Sequence, residues 1–92
     1  MVSTRITIIN PTGLHLRPIS VLCNRAIDFK SRITIRMGNK SVSAKSVLGV
    51  LSACIRFDDE IELICEGEDE AEALEVIGRM IRDGLEDDII KK

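Results

Sequence analysis

The sequence predicts an α+β fold: an open-faced β-sandwich, one four-stranded antiparallel sheet with three helices on one face, in the order β-α-β-β-α-β-α. Two observations predict it. Four short segments alternate apolar and polar residues with the period of a strand. Interleaved with them, three segments repeat apolar residues with the period of a helix. Turn residues separate the segments, and no internal repeat or linker divides the chain, so residues 1–92 read as one domain.

The first segment, Thr4 to Ile9, alternates polar and β-branched residues and predicts a strand. Asn10-Pro11-Thr12-Gly13 is turn punctuation. From Leu16 to Ile27 the apolar residues Ile19, Leu22, Cys23, Ala26 and Ile27 fall on one helical face. Pro18 belongs in the first turn, where a missing N–H costs nothing; the helix start can move by a residue or two around it. Arg32 to Met37 alternates, with Ile33, Ile35 and Met37 on one side. Gly38-Asn39-Lys40 predicts a tight turn, and Ser41-Val42-Ser43 a return strand. Ser46 suits the N-cap of a short helix through Leu51. Phe57-Asp58-Asp59 is a turn, and Glu60 to Glu66 alternates as a fourth strand. Glu68 to about Gly84 predicts the last helix, acidic at its start and basic at its end, as the macrodipole favours. Its expected buried side is Ala71, Leu74, Ile77, Met80 and Ile81, and the tail from Glu86 to Lys92 is expected to fray.

Composition excludes several classes. Hydrophobic residues make up 45% and charged residues 30%, an ordinary globular balance. No apolar run approaches the ~18–20 residues of a membrane span, and the N-terminus lacks a signal-peptide stretch, so a cytoplasmic protein without membrane insertion is expected. Cys23, Cys54 and Cys65 are odd in number and form no CxxC or Cys/His cluster, so neither a disulfide framework nor a metal site is expected. Charge is divided along the chain. Residues 1–56 hold nine basic and one acidic residue, net +8, and residues 57–92 hold four basic and fourteen acidic, net −10. Such polarity suggests a field that steers a partner.

His15 is the only histidine, in Gly13-Leu14-His15-Leu16-Arg17-Pro18. A helix start offers N–H groups without intrahelical acceptors, a natural anion site. Arg17 adds a permanent cation that can clamp phosphate oxygens. Nucleophile, helix end and guanidinium together suit phosphoryl acceptance. A surface histidine that merely precedes a helix has the same local signature, so both readings stand on these residues alone. Around Ser46, Val47, Leu48, Val50 and Leu51 cannot all face inward on one short helix, so part of them should form an exposed docking patch.

The segment from Asn10 to Pro18 resembles the active-site loop of the histidine-containing phosphocarrier (HPr) family of the bacterial sugar phosphotransferase system. Lys45-Ser46-Val47-Leu48-Gly49-Val50-Leu51 resembles that family's regulatory serine segment. The spacing between the two, the chain length and the element order agree, so the likeness covers nearly the whole chain. The resemblance implies a carrier rather than an enzyme. Enzyme I, charged by phosphoenolpyruvate, would phosphorylate His15 on its δ nitrogen, Arg17 would stabilise the phosphate, and enzyme IIA components would receive it. Ser46 matches the site of the HPr kinase/phosphorylase, whose product recruits a catabolite-control transcription regulator. Leu16, Ser20, Val47, Leu48, Leu51 and Ser52 match the docking surface. No cofactor and no metal are implied, and a monomer is expected.

Several positions depart from the family pattern. Leu16 replaces a small residue beside the histidine, Ile19 replaces an alanine, and Cys54 and Asp58 stand where glycines are common. Phe57-Asp58-Asp59 is a bulkier, more acidic turn. These departures bear on partner choice and suggest a paralogue serving a dedicated phosphorelay, or one acting mainly through phospho-Ser46. A nucleic-acid-binding domain is a reading of another class, but a chain without Tyr or Trp and with only Phe29 and Phe57 has no stacking platform. A small-molecule regulatory domain fits the fold alone and leaves the His15/Arg17 pairing unexplained.

Overall fold

The computed structural model describes residues 1–85. Four strands, β1 (Val2–Thr7), β2 (Arg32–Met37), β3 (Lys40–Ser43) and β4 (Glu60–Glu66), alternate with three helices, α1 (Leu16–Ala26), α2 (Val47–Ser52) and α3 (Glu70–Arg82). The strands form one antiparallel sheet in the order β1-β4-β2-β3. The element order and the antiparallel sheet agree with the sequence reading.

The sheet owes its two faces to strand alternation. On the inner face, Ile6 lies opposite Ile61, Leu63 opposite Ile35, and Cys65 opposite Ile33. All six are buried, and with Ile19, Leu22, Ile77 and Ile81 from the helices they make the core. The outer face is charged. Glu62 stands in register between Arg5 and Arg36, and its carboxylate forms an ion pair with the Arg36 guanidinium at 3.1 Å. Arg5 lies 3.9 Å from Glu60. The charge division along the chain is therefore interleaved in the sheet, where acidic β4 runs between basic β1 and β2.

Some bounds differ from the sequence reading, each for a local reason. β1 spans Val2–Thr7 rather than Thr4–Ile9. Beyond Thr7 the backbone leaves β4 and bonds to the loop before it, Ile8 N–H to Asp59 O at 2.9 Å and Asp58 N–H to Ile8 O at 2.8 Å. α1 ends at Ala26, so Ile27 is its C-cap and is exposed, not part of the buried face. α3 begins at Glu70, two residues late, because Asp69 is its N-cap. Its core face carries Ala73 and Gly78 beside Ile77 and Ile81, while Ala71 is exposed and Leu74 and Met80 only half-buried. α3 ends at Arg82, two residues before Gly84, the glycine that closes it. Leu85 N–H bonds to Met80 O and Gly84 N–H to Ile81 O, a Schellman closure for which Gly84 supplies the left-handed φ of 88°. The tail from Glu86 lies outside the described residues. Among the described residues no helix is long and apolar enough to cross a membrane.

Candidate functional site

His15 is the N-cap of α1, with extended backbone (φ −95°, ψ −171°). Its carbonyl accepts the first helical bond, from Ile19 N–H at 3.1 Å, and its side chain does not cap the helix. His15 is exposed and stands at a helix start whose first N–H groups have no carbonyl four residues back. Leu16, Arg17 and Pro18 form the first turn. Leu16 is 58% exposed, Arg17 is exposed, and Pro18 is buried as the third helical residue, where no intrahelical bond is lost.

The loop that presents His15 is held from below. Gly13 N–H bonds to Asn10 O at 2.8 Å, closing the turn. Asn10 is buried, and its Nδ2 donates to Gly84 O at 3.1 Å, tying the loop to the end of α3. Leu14 is buried and donates its N–H to Ile55 O at 3.0 Å. Gly13 has φ 74°, and a Cβ there would lie 2.7 Å from Ile55 O and 3.0 Å from Arg56 Cα. Only glycine permits both that backbone and that approach. The buried role of Asn10 and the support from residues 55–59 were not legible in the sequence, where Asn-Pro-Thr-Gly carries only a turn signal.

Ser46 is the N-cap of α2, and its Oγ accepts from Gly49 N–H at 3.0 Å. A Cβ on Gly49 would come within 3.1 Å of that oxygen, so glycine leaves the serine open. On α2 only Val50 is buried; Val47 is half-buried against the core, and Leu48 (77%) and Leu51 (42%) are exposed. Ser52 is exposed and its Oγ donates to Gly49 O at 2.8 Å; Ser20 on α1 is half-buried. α1 packs against α2, so the structure brings the two helices bearing these residues together. Cys54 is exposed with φ 55° and Asp58 has φ 73°, left-handed backbone at the two positions singled out as glycine-like. Cys23 and Cys65 are buried, and burial pushes both thiols up.

The sequence matches the family described as "PTS HPr component phosphorylation site" over residues 2–83. The chain belongs to the HPr family. It is 36% identical over 81 residues to the phosphocarrier protein HPr of Lysinibacillus sphaericus, covering 88% of this chain and 92% of that protein. A crystal structure of HPr from Thermoanaerobacter tengcongensis superposes with a TM-score of 0.89 at 34% identity, over 95% of this chain and 98% of that one. A crystal structure of Crh, a catabolite-repression protein of Bacillus subtilis solved as a domain-swapped dimer, gives 0.74 at 34% identity, over 90% and 95%. HPr proteins are phosphocarriers rather than catalysts, and the fold seen here is theirs.

Proposed function

We propose that this HPr-family protein accepts a phosphoryl group on His15 and hands it on. The observation that carries the reading is an exposed imidazole at the N-terminus of α1 that does not cap its own helix, with Arg17 two residues on. In the step, the Nδ1 lone pair forms the bond to phosphorus while the donor keeps the electrons of the bond that breaks. Charge on the phosphoryl oxygens meets the first-turn N–H groups and the Arg17 guanidinium. Enzyme I, charged by phosphoenolpyruvate, is the donor and enzyme IIA components are the acceptors. Leu16, Ser20, Val47, Leu48, Leu51 and Ser52 form the docking surface; the exposure of Leu16, Leu48 and Leu51 supports this. We place the carrier in the cytoplasm as a monomer of one domain, binding no nucleic acid directly.

Ser46 is the regulatory site in this reading, modified by an HPr kinase/phosphorylase and then recognised by a catabolite-control transcription regulator. Its exposure and its place at the N-cap of α2 support it. A phosphate there adds a charge of about −1.5 to −2 inside the docking surface. A second reading, a mainly regulatory paralogue, is favoured by the likeness to Crh and by bulky Leu16 beside the histidine. The two are separated by incubating the protein with phosphoenolpyruvate and Enzyme I. A carrier gains one acid-labile phosphoryl group and loses it to an enzyme IIA component. A purely regulatory paralogue gains none.

A further inference from the structure

The cations of this chain are largely committed to neighbours. Arg5, Arg25, Lys30 and Arg36 sit in ion pairs, and Lys40 and Lys45 donate to carbonyl oxygens of Ala53 and Phe29. Arg56 differs. Its side chain makes no hydrogen bond or ion pair among the described residues, although Asp58 and Asp59 follow it closely. The Asp59 carboxylate is turned to the backbone instead, where Oδ2 accepts from Arg56 N–H at 2.8 Å, while Asp59 N–H bonds to Arg56 O at 3.1 Å. The backbone of Arg56 is thus fixed at both ends and its guanidinium left in solvent.

That backbone lies directly under the His15 loop. Leu14 and Ile55 join through one hydrogen bond of 3.0 Å, both side chains buried, and the residue after each, His15 and Arg56, is exposed. The Cβ position of Gly13 is 3.0 Å from Arg56 Cα. Two residues of chain from Gly13 reach His15, a span of at most about 7 Å. An arginine stem is long enough to bring its head over that span.

We propose that Arg56 is a second phosphate-binding arginine of this site: its guanidinium engages the oxygens of the phosphoryl group that His15 carries. The inference rests on the reading of His15 as acceptor. A dianionic phosphoryl group has oxygens enough for two forks, and an arginine held only by its backbone is free to swing onto the group when it arrives. Arg56 adds no covalent step. It neutralises charge as the bond to Nδ1 forms, and it gives the carrier a contact made only in the phosphorylated state.

The test uses the full chain and phosphoramidate, a small donor whose P–N bond breaks with ammonia as leaving group, so no docking partner is involved. Loading is followed by phosphorus NMR and by the Nε–H resonance of Arg56. The proposal expects that resonance to shift and exchange more slowly once His15 is phosphorylated. It expects Arg56→Ala to load about tenfold more slowly at an unchanged melting temperature, and Arg56→Lys to recover part of the rate. An unmoved Arg56 resonance in fully loaded protein, or loading of Arg56→Ala at the wild-type rate, overturns the role of Arg56 and leaves that of His15 intact. Absence of any acid-labile phosphate on the wild-type chain overturns both.

Discussion

Arg17 stands in the first turn of α1, exposed and two residues beyond the imidazole, where a guanidinium can meet charge developing on a transferring phosphoryl group. Core packing does not depend on it. Arg17→Ala should therefore slow transfer from Enzyme I by about tenfold or more, ~1.4 kcal/mol of barrier per factor of ten, while leaving the thermal transition nearly in place. Stopped-flow transfer and calorimetry on the same sample separate the two effects. Cys54 makes the opposite kind of prediction. A non-glycine residue in the left-handed region costs ~1–2 kcal/mol, and glycine gives back about half of that in unfolded-chain entropy. With φ at 55°, Cys54→Gly should stabilise the fold by about 0.5–1 kcal/mol in urea titration. At this scale much of the candidate site stands in the sequence. His15, Arg17 and Ser46 were legible because each is a chemically distinctive residue beside a helix-start signal. Asn10 was not, since burial of a turn residue depends on Gly84, 74 positions away. Arg56 was equally hidden, for its meaning arises only from the backbone contact between two loops.

Among the elements, the start of α3 is held in an unusual way. Asp69 occupies the N-cap, yet its carboxylate does not cap its own helix. It accepts instead from the Ser31 hydroxyl and from the N–H groups of Lys30 and Ser31 at 2.9 Å each, joining the α1–β2 loop to the β4–α3 turn. Gly67 closes against Ser31, 2.7 Å from Ser31 Cα to the position of a Cβ. The hydrogen bond from Ser31, then that from Lys30 N–H, holds the Asp69 carboxyl below the ordinary carboxylate range. The Gly67 N–H and the N-terminal ammonium do the same for Glu70. A depressed folded pKa means that the unfolded chain binds protons first as pH falls. The contribution of both groups is thus complete above the ordinary range near pH ~4 and is lost as pH drops through their lower folded values. Asp69→Asn should lower the melting temperature at pH 7 and converge with the wild type toward pH 2. The gap would persist at all pH values if Asp69 acted by shape alone. The sequence located α3 but started it at Glu68 and put Ala71 on its buried side. Helical periodicity finds a face, whereas the carboxylate of Asp69, engaged across the fold, sets where that face begins.

Over the whole molecule, the linear split of charge is interleaved on the open sheet face, where acidic β4 runs between basic β1 and β2. The binary pattern sufficed for the sheet and its helices because each strand has one buried and one wet face. It could not show which neighbours would interleave, since strand order 1-4-2-3 is a property of the assembled sheet. Phosphate on Ser46 should repel an acidic partner surface without unfolding the helix it caps. Affinity of Enzyme I for the phospho-Ser46 form should fall below that of the unmodified form at low salt, and the gap should narrow as salt is raised. Equal affinities at both salts would remove that mechanism.

The central claim is that His15 carries a transferable phosphoryl group, and labelling of the wild type and His15→Ala by Enzyme I and radioactive phosphoenolpyruvate tests it most directly. The wild type should take up one acid-labile phosphate per chain and the alanine variant, folded to the same melting temperature within a few degrees, none. Labelling of His15→Ala at the wild-type rate would contradict the account.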